Sequence, residues 1–127
     1  MLAKKLDVGF PNAKWCMYGT TYDSLTWLDD SIPKPTLEEI ETAYERAAST
    51  YALKLLREKR DKLLKETDIY MIPDYPISDT KKERLLQYRR ALRDLPSLSN
   101  PRIIIQEEPV ERIVLDEASV TWPVLPL

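Results

Sequence analysis

No proline lies between Pro35 and Pro73, nor between Pro76 and Pro96, in a chain that carries ten of them. A proline removes a backbone donor and clashes with the preceding helical turn, so long helices are confined to those two windows. The first window reads TLEEIETAYERAASTYALKLLREKRDKLLKET over 36–67. Thr36 and Glu39 have the spacing of a capping box, and Glu38, Glu39 and Glu41 set negative charge at the positive end of the helix dipole. Lys59, Arg60, Lys62 and Lys65 stand at the other end. Leu37, Ile40, Tyr44, Ala47, Ala48, Tyr51, Leu55, Leu56, Leu63 and Leu64 recur at helical spacing and paint one stripe. Such a helix is roughly 45 Å long at 1.5 Å per residue. A chain of this size has too few other elements to cover it, so part of its face is expected to meet another protein.

The second window predicts a helix over TKKERLLQYRRALRD, 80–94. Ser78, Asp79 or Thr80 can cap it, Thr80 and Glu83 suggest a second capping box, and Pro96 is expected to end it. Leu85, Tyr88, Leu92 and Leu95 share one face. The connection DIYMIPDYPISD (68–79) is short, so the two helices should be antiparallel neighbours, with Ile69, Met71, Ile72 and Tyr75 closing the open end of their interface.

Outside these windows the chain reads as extended. Residues 1–11 suggest a strand ending at Gly9 or Pro11. Lys14–Tyr18 and Leu25–Leu28 are aromatic-rich and flank the polar GTTYDS, which predicts a β-hairpin carrying Trp15 and Trp27. A lone hairpin is marginal in water, so its aromatic face should lean on the first helix. Arg102–Gln106 and Glu111–Leu115 are short β-type runs, and the tail ASVTWPVLPL should run extended. The expected fold is α+β and mainly helical. Its centre is an antiparallel helical hairpin, a long helix over about 36–66 and a shorter one over about 80–95. Around it stand an N-terminal β-hairpin arm (1–35) and an extended C-terminal β-type arm (97–127), with 36–96 as the helical hairpin domain.

The chemistry available is narrow. There is no histidine and a single cysteine, Cys16. Ser–His and Cys–His nucleophiles, His-ligated metals, cysteine zinc clusters and an internal disulfide are therefore excluded. The lone thiol fits a reducing compartment. The two glycines, Gly9 and Gly19, stand ten residues apart, and neither GxGxxG nor GxxxxGK[ST] occurs. The acidic pairs Asp29–Asp30, Glu38–Glu39 and Glu107–Glu108 read as caps or solvated surface. Neither an enzyme nor a cofactor is expected. No apolar run of about 20 residues is present to span a bilayer, and the start lacks the apolar core of a secretion signal. The formal charge is −2, which gives no general attraction to nucleic acid. Residues 54–94 hold 12 Lys/Arg against 8 Asp/Glu, so a basic hairpin sits between acidic ends.

Within this frame RDKLL (60–64), ETD (66–68), PDYP (73–76), YRRALRDLP (88–96) and VTWPVLP (120–126) resemble the phage tail assembly chaperone family, related modules of which occur in tail-fibre and other virion proteins. Ile69 stands where a tryptophan often follows the ETD-like aspartate. The resemblance implies a non-enzymatic viral assembly protein working through protein–protein contacts with tail or capsid proteins in the host cytoplasm. A minor capsid or other resident virion component fits equally, and a homo-oligomer is compatible. A nucleic-acid-binding accessory protein using the basic hairpin is the alternative from another class. No membrane partner is expected. The candidate residues for partner binding or for locking the hairpin are Arg60, Asp61, Leu64, Asp68, Tyr88, Arg89, Leu92, Arg93, Trp122 and Pro123. Tyr88 and Leu92 should face the first helix, Arg89 and Arg93 should share the next stripe, and Asp61 and Asp68 are the acids within reach of them.

Overall fold

A computed structural model describes all residues, 1–127. The order of elements is α1 (Leu2–Gly9), β1 (Trp15–Met17), β2 (Leu25–Trp27), α2 (Leu37–Thr67), α3 (Asp79–Leu98), β3 (Ile103–Gln106) and β4 (Arg112–Leu115). This is a mainly helical α+β fold whose strands form two separate antiparallel hairpins, β1–β2 and β3–β4. The chain divides into two units, Met1–Ala52 with Arg102–Leu115, and Leu53–Pro101 with Asp116–Leu127. The helix α2 therefore contributes to both.

In the first unit, the expected strand over residues 1–11 is instead the helix α1. Leu2 and Leu6 are four residues apart, so a helix turns both inward where a strand also would, and Lys4 pairs with Asp7 one turn on. Gly9 marks where α1 meets α2. A Cβ there would lie 3.0 Å from both the Ala43 Cβ and the Tyr44 backbone nitrogen, so only glycine fits without a shift. Leu2, Leu6, Leu25 and Ile40 form the core, with Phe10, Trp15, Met17, Tyr22 and Trp27 packed on it. The aromatic hairpin thus leans on α1 and on the start of α2. Phe10 meets Trp27 edge to face with ring centroids 5.7 Å apart. The linker is tied down as well: Trp27 Nε1 donates to the Ile32 carbonyl, the Tyr22 hydroxyl to the Pro35 carbonyl, and Lys34 Nζ to the Leu25 carbonyl. The Asp29 carboxylate accepts from the hydroxyl and backbone N–H of Ser31 and from Lys14 N–H, which hold its pKa below the usual carboxylate value. Lys5 pairs with Glu41 across α1 and α2.

The capping box at the start of α2 forms as the sequence implies, Glu39 N–H donating to Thr36 Oγ1 (3.1 Å) and Thr36 N–H to Glu39 Oε1 (3.4 Å). In the β3–β4 hairpin Ile104 lies opposite Val114 and Gln106 opposite Arg112. Ile103 and Ile105 turn to the covered face, while Ile104 and Gln106 turn to solvent.

The second unit is an antiparallel helical pair. Arg89, midway along α3, reaches the end of α2 at Leu64 and Thr67. Further along α3, Leu95 shares a cleft with Trp122, whose ring lies under Lys59, earlier in α2. Leu56, Leu85 and Leu92 are fully buried, with Tyr88 and Leu95 beside them. The cap of α3 is Ser78, accepting from Lys81 N–H at 3.2 Å; Thr80 already has a helical position, so it forms no box with Glu83. Pro96 does not end α3, which continues to Leu98. Its fixed φ suits a helix, and so near the C-terminus the loss is one donor. Ile69 and Ile72 do not close the helix interface but stand exposed, because a short 3₁₀ turn over Asp68–Met71 carries the chain away from it. A second such turn, Glu117–Ser119, precedes the extended tail, its start capped by Asp116.

Candidate partner-binding site

The end of α2 would leave carbonyls without intrahelical donors. One of them, at Leu64, accepts from Arg89 Nη1 at 2.8 Å and from the Thr67 hydroxyl at 3.0 Å. Arg89 Nη1 also donates to Thr67 Oγ1 at 2.7 Å, and its Nη2 meets the Asp68 carboxylate at 2.9 Å. Arg89 is only 8% exposed and Thr67 only 2%. A buried guanidinium therefore ties the last turn of α2 to the middle of α3. Thr67 lies inside the ETD (66–68) motif but is not among the candidate residues drawn from the sequence. Apart from that motif its signal is a hydroxyl residue between two acids at a helix end, a pattern common on solvated helices too.

The remaining candidates separate by face. Tyr88 and Leu92 are buried in the same interface, and Leu64 is half-buried. Burial pushes the Tyr88 phenol pKa up, and the nearby Glu66 charge adds to it. Arg93 does not share the position of Arg89. It is exposed, since four residues overshoot a full turn by about 40°. Asp61 does not reach Arg89 or Arg93 either. It is exposed almost two turns before Asp68 and pairs with its neighbour Arg60 at 2.9 Å.

Trp122 and Pro123 sit at a different place. Trp122 Nε1 donates to Glu117 Oε2 (2.9 Å), Lys59 Nζ lies 4.6 Å from the ring centroid, and Lys59 pairs with Glu117 at 2.9 Å. These three side chains fasten the tail to α2, and Val120, between Glu117 and Trp122 in the chain, is buried. Nothing in sequence spacing links Lys59 to Glu117. The fastened tail forms one wall of a cleft of about 650 Å³, with Trp122 and Pro123 facing Ala91, Leu95 and Leu98 of α3. Arg90, Asp94 and Asn100 supply polar groups along it. Leu98 is 82% exposed, far more than Leu86 at 38%, while Leu85, Leu92 and Leu95 of the same helix are buried.

No group of three or more His, Cys, Asp or Glu side chains converges on a point that would hold a metal, and no helix is long and apolar enough to cross a membrane. No curated protein and no solved structure matches the chain. The family model for phage tail assembly chaperone proteins matches residues 53–127, which is more than half of the chain. The match begins at the first residue of the second unit and runs without a break through β3–β4 to the Trp-Pro tail. It thus joins the buried Arg89 lock and the cleft in one inherited segment, and the chain belongs to the phage tail assembly chaperone family.

Proposed function

We propose that this protein is a non-enzymatic assembly factor that holds a short amphipathic segment of another phage tail protein in the cleft along α3. The observation that carries this reading is the exposure of Leu98 beside Ala91, Leu95 and Trp122. It is an apolar strip on an otherwise charged helix, with polar groups at its margins. From Gln87 to Leu98 the wall is about 16 Å long, room for about three turns of a helix whose apolar side faces Leu98. Membership of a tail assembly family makes a tail protein the natural occupant, and the work would be done in the host cytoplasm while tails are built. Arg60, Asp61 and Arg93 lie outside the cleft lining and would offer charge to a partner separately from this contact. Tyr88, Arg89 and Leu92 act indirectly by keeping α3 in place.

The test is co-expression with each tail protein of the same phage, followed by affinity capture and calorimetry on the captured pair. Leu98→Asp and Ala91→Arg should each weaken capture at least about tenfold, a loss of about 1.4 kcal/mol or more. Neither should lower the melting temperature, because both side chains are exposed. Undiminished capture by both variants would refute the cleft as the binding surface.

A further inference from the structure

We infer that β3 is a self-pairing edge through which two copies of this chain join antiparallel about a two-fold axis at Ile104. The β3–β4 sheet has only two strands, and no backbone hydrogen bond joins Ile103–Gln106 to anything beyond β4. The outer edge of β3 is therefore an unfilled row of donors and acceptors. Folded proteins usually blunt such a row with lysine, proline, a bulge or a covering segment. The N-terminal hairpin does this, with Lys34 Nζ donating to the Leu25 carbonyl on β2. Strand β4 carries Arg112. Strand β3 reads IIIQ, three β-branched residues in succession with no charge and no proline, and Ile104 is 48% exposed on the solvent face.

The occupant follows from parity. In an antiparallel sheet, residues directly opposite point to the same face. A two-fold axis normal to the sheet therefore pairs positions of equal parity, so a residue on the axis faces itself. With Ile104 on the axis, Ile103 of one copy lies opposite Ile105 of the second copy on the covered face. Ile104 then lies opposite Ile104 of the second copy on the solvent face. Every isoleucine meets an isoleucine, a favourable cross-strand pairing of β-branched side chains. Moving the axis to Ile105 would place Ile104 against Gln106, whose side chain already accepts from Arg112 Nε at 2.9 Å, and Ile103 against Glu107. The sequence thus suits its own reversed copy in one register. The contact is isologous and closed, so it gives a dimer and not a filament. A four-residue edge buries less than a permanent interface needs, so dimerisation should depend on concentration.

The experiment uses the full chain in sedimentation velocity over a concentration series, with two variants. Ile104→Lys sets two ammonium groups face to face on the axis and should weaken dimerisation at least about tenfold. Its circular dichroism should be unchanged, because the side chain is half in solvent. In a Cys16→Ser background, Ile104→Cys should form a disulfide-linked dimer under mild oxidation, since residues opposite on the axis have Cα atoms about 4.5–5.5 Å apart. Ile103→Cys and Ile105→Cys alone should not, while a mixture of those two should cross-link. A monomer at every concentration would overturn the inference. So would a dimer that Ile104→Lys leaves intact, or cross-linking that ignores register. None of these outcomes bears on the cleft along α3.

Discussion

Replacing Arg89 by methionine keeps the length and most of the apolar stem of the side chain and removes its donors. Two of the lost bonds are short, to the Leu64 carbonyl at 2.8 Å and to Thr67 Oγ1 at 2.7 Å. Bonds from a charged donor contribute about 1.5–3 kcal/mol each. The gain is partly offset because methionine avoids dehydrating a guanidinium, which costs several kcal/mol. The groups left behind are not stranded. Leu64 O still accepts from the Thr67 hydroxyl at 3.0 Å, and the Asp68 side chain is 60% exposed to water. We therefore expect Arg89→Met to destabilise the fold by about 2 kcal/mol, lowering the melting temperature by about 6–10 °C for a domain of this size. Thr67→Val should cost about 1–2 kcal/mol, and the double variant should fall short of the sum by about 1 kcal/mol because both act on one network. Asp68→Asn should cost less than about 1 kcal/mol, as solvent screens that pair. Thermal unfolding followed by far-ultraviolet circular dichroism measures all four. If Arg89→Met melted at or above the parent, or if the double variant were additive, Arg89 would be a buried passenger and not the tie between α2 and α3.

Other outcomes follow from the same geometry. Leu92 is fully buried, so Leu92→Ala should cost about 2–5 kcal/mol in a denaturant titration, and an unchanged midpoint would mean that face is not packed. The Tyr88 pKa is raised from 10.0, first by burial and then by Glu66. Loss of the proton is therefore easier in the unfolded chain, and ionisation favours unfolding once the pH passes the unfolded value. That part of the stability is intact below pH 10.0 and is lost as the pH rises through the folded value. Tyr88→Phe should flatten the alkaline decline in melting temperature, and an identical decline in both proteins would discount it. Removing residues 119–127 exposes the site of Val120 and frees Lys59 and Glu117 from Trp122. This should destabilise the chain by about 1–3 kcal/mol; a truncated protein as stable as the parent would show that the tail contributes nothing to its own fold.

The long helices could be read directly because their causes are local. The absence of proline, the Thr36–Glu39 cap and the helical recurrence of Leu85, Tyr88, Leu92 and Leu95 all lie within a few residues of where they act. The aromatic hairpin was legible for the same reason, since the aromatic-rich runs holding Trp15 and Trp27 flank the polar segment GTTYDS. The segment 1–11 was not, because Leu2 and Leu6 fall on one face in a strand as well as in a helix. Only packing of α1 against Ala43, with Gly9 at the contact, decides between them. The same holds at the candidate site. Composition excluded histidine chemistry and an internal disulfide, and YRRALRDLP with the closing Trp-Pro pointed to the family. Which arginine is buried was a tertiary matter. Arg89 and Arg93 are equivalent in charge and spacing, but only Arg89 meets the Leu64 carbonyl near the end of α2. Lys59 and Glu117 are 58 residues apart, a separation no periodicity spans. Their pairing, and the cleft wall that Trp122 makes with it, came into being only when the tail folded back on α2.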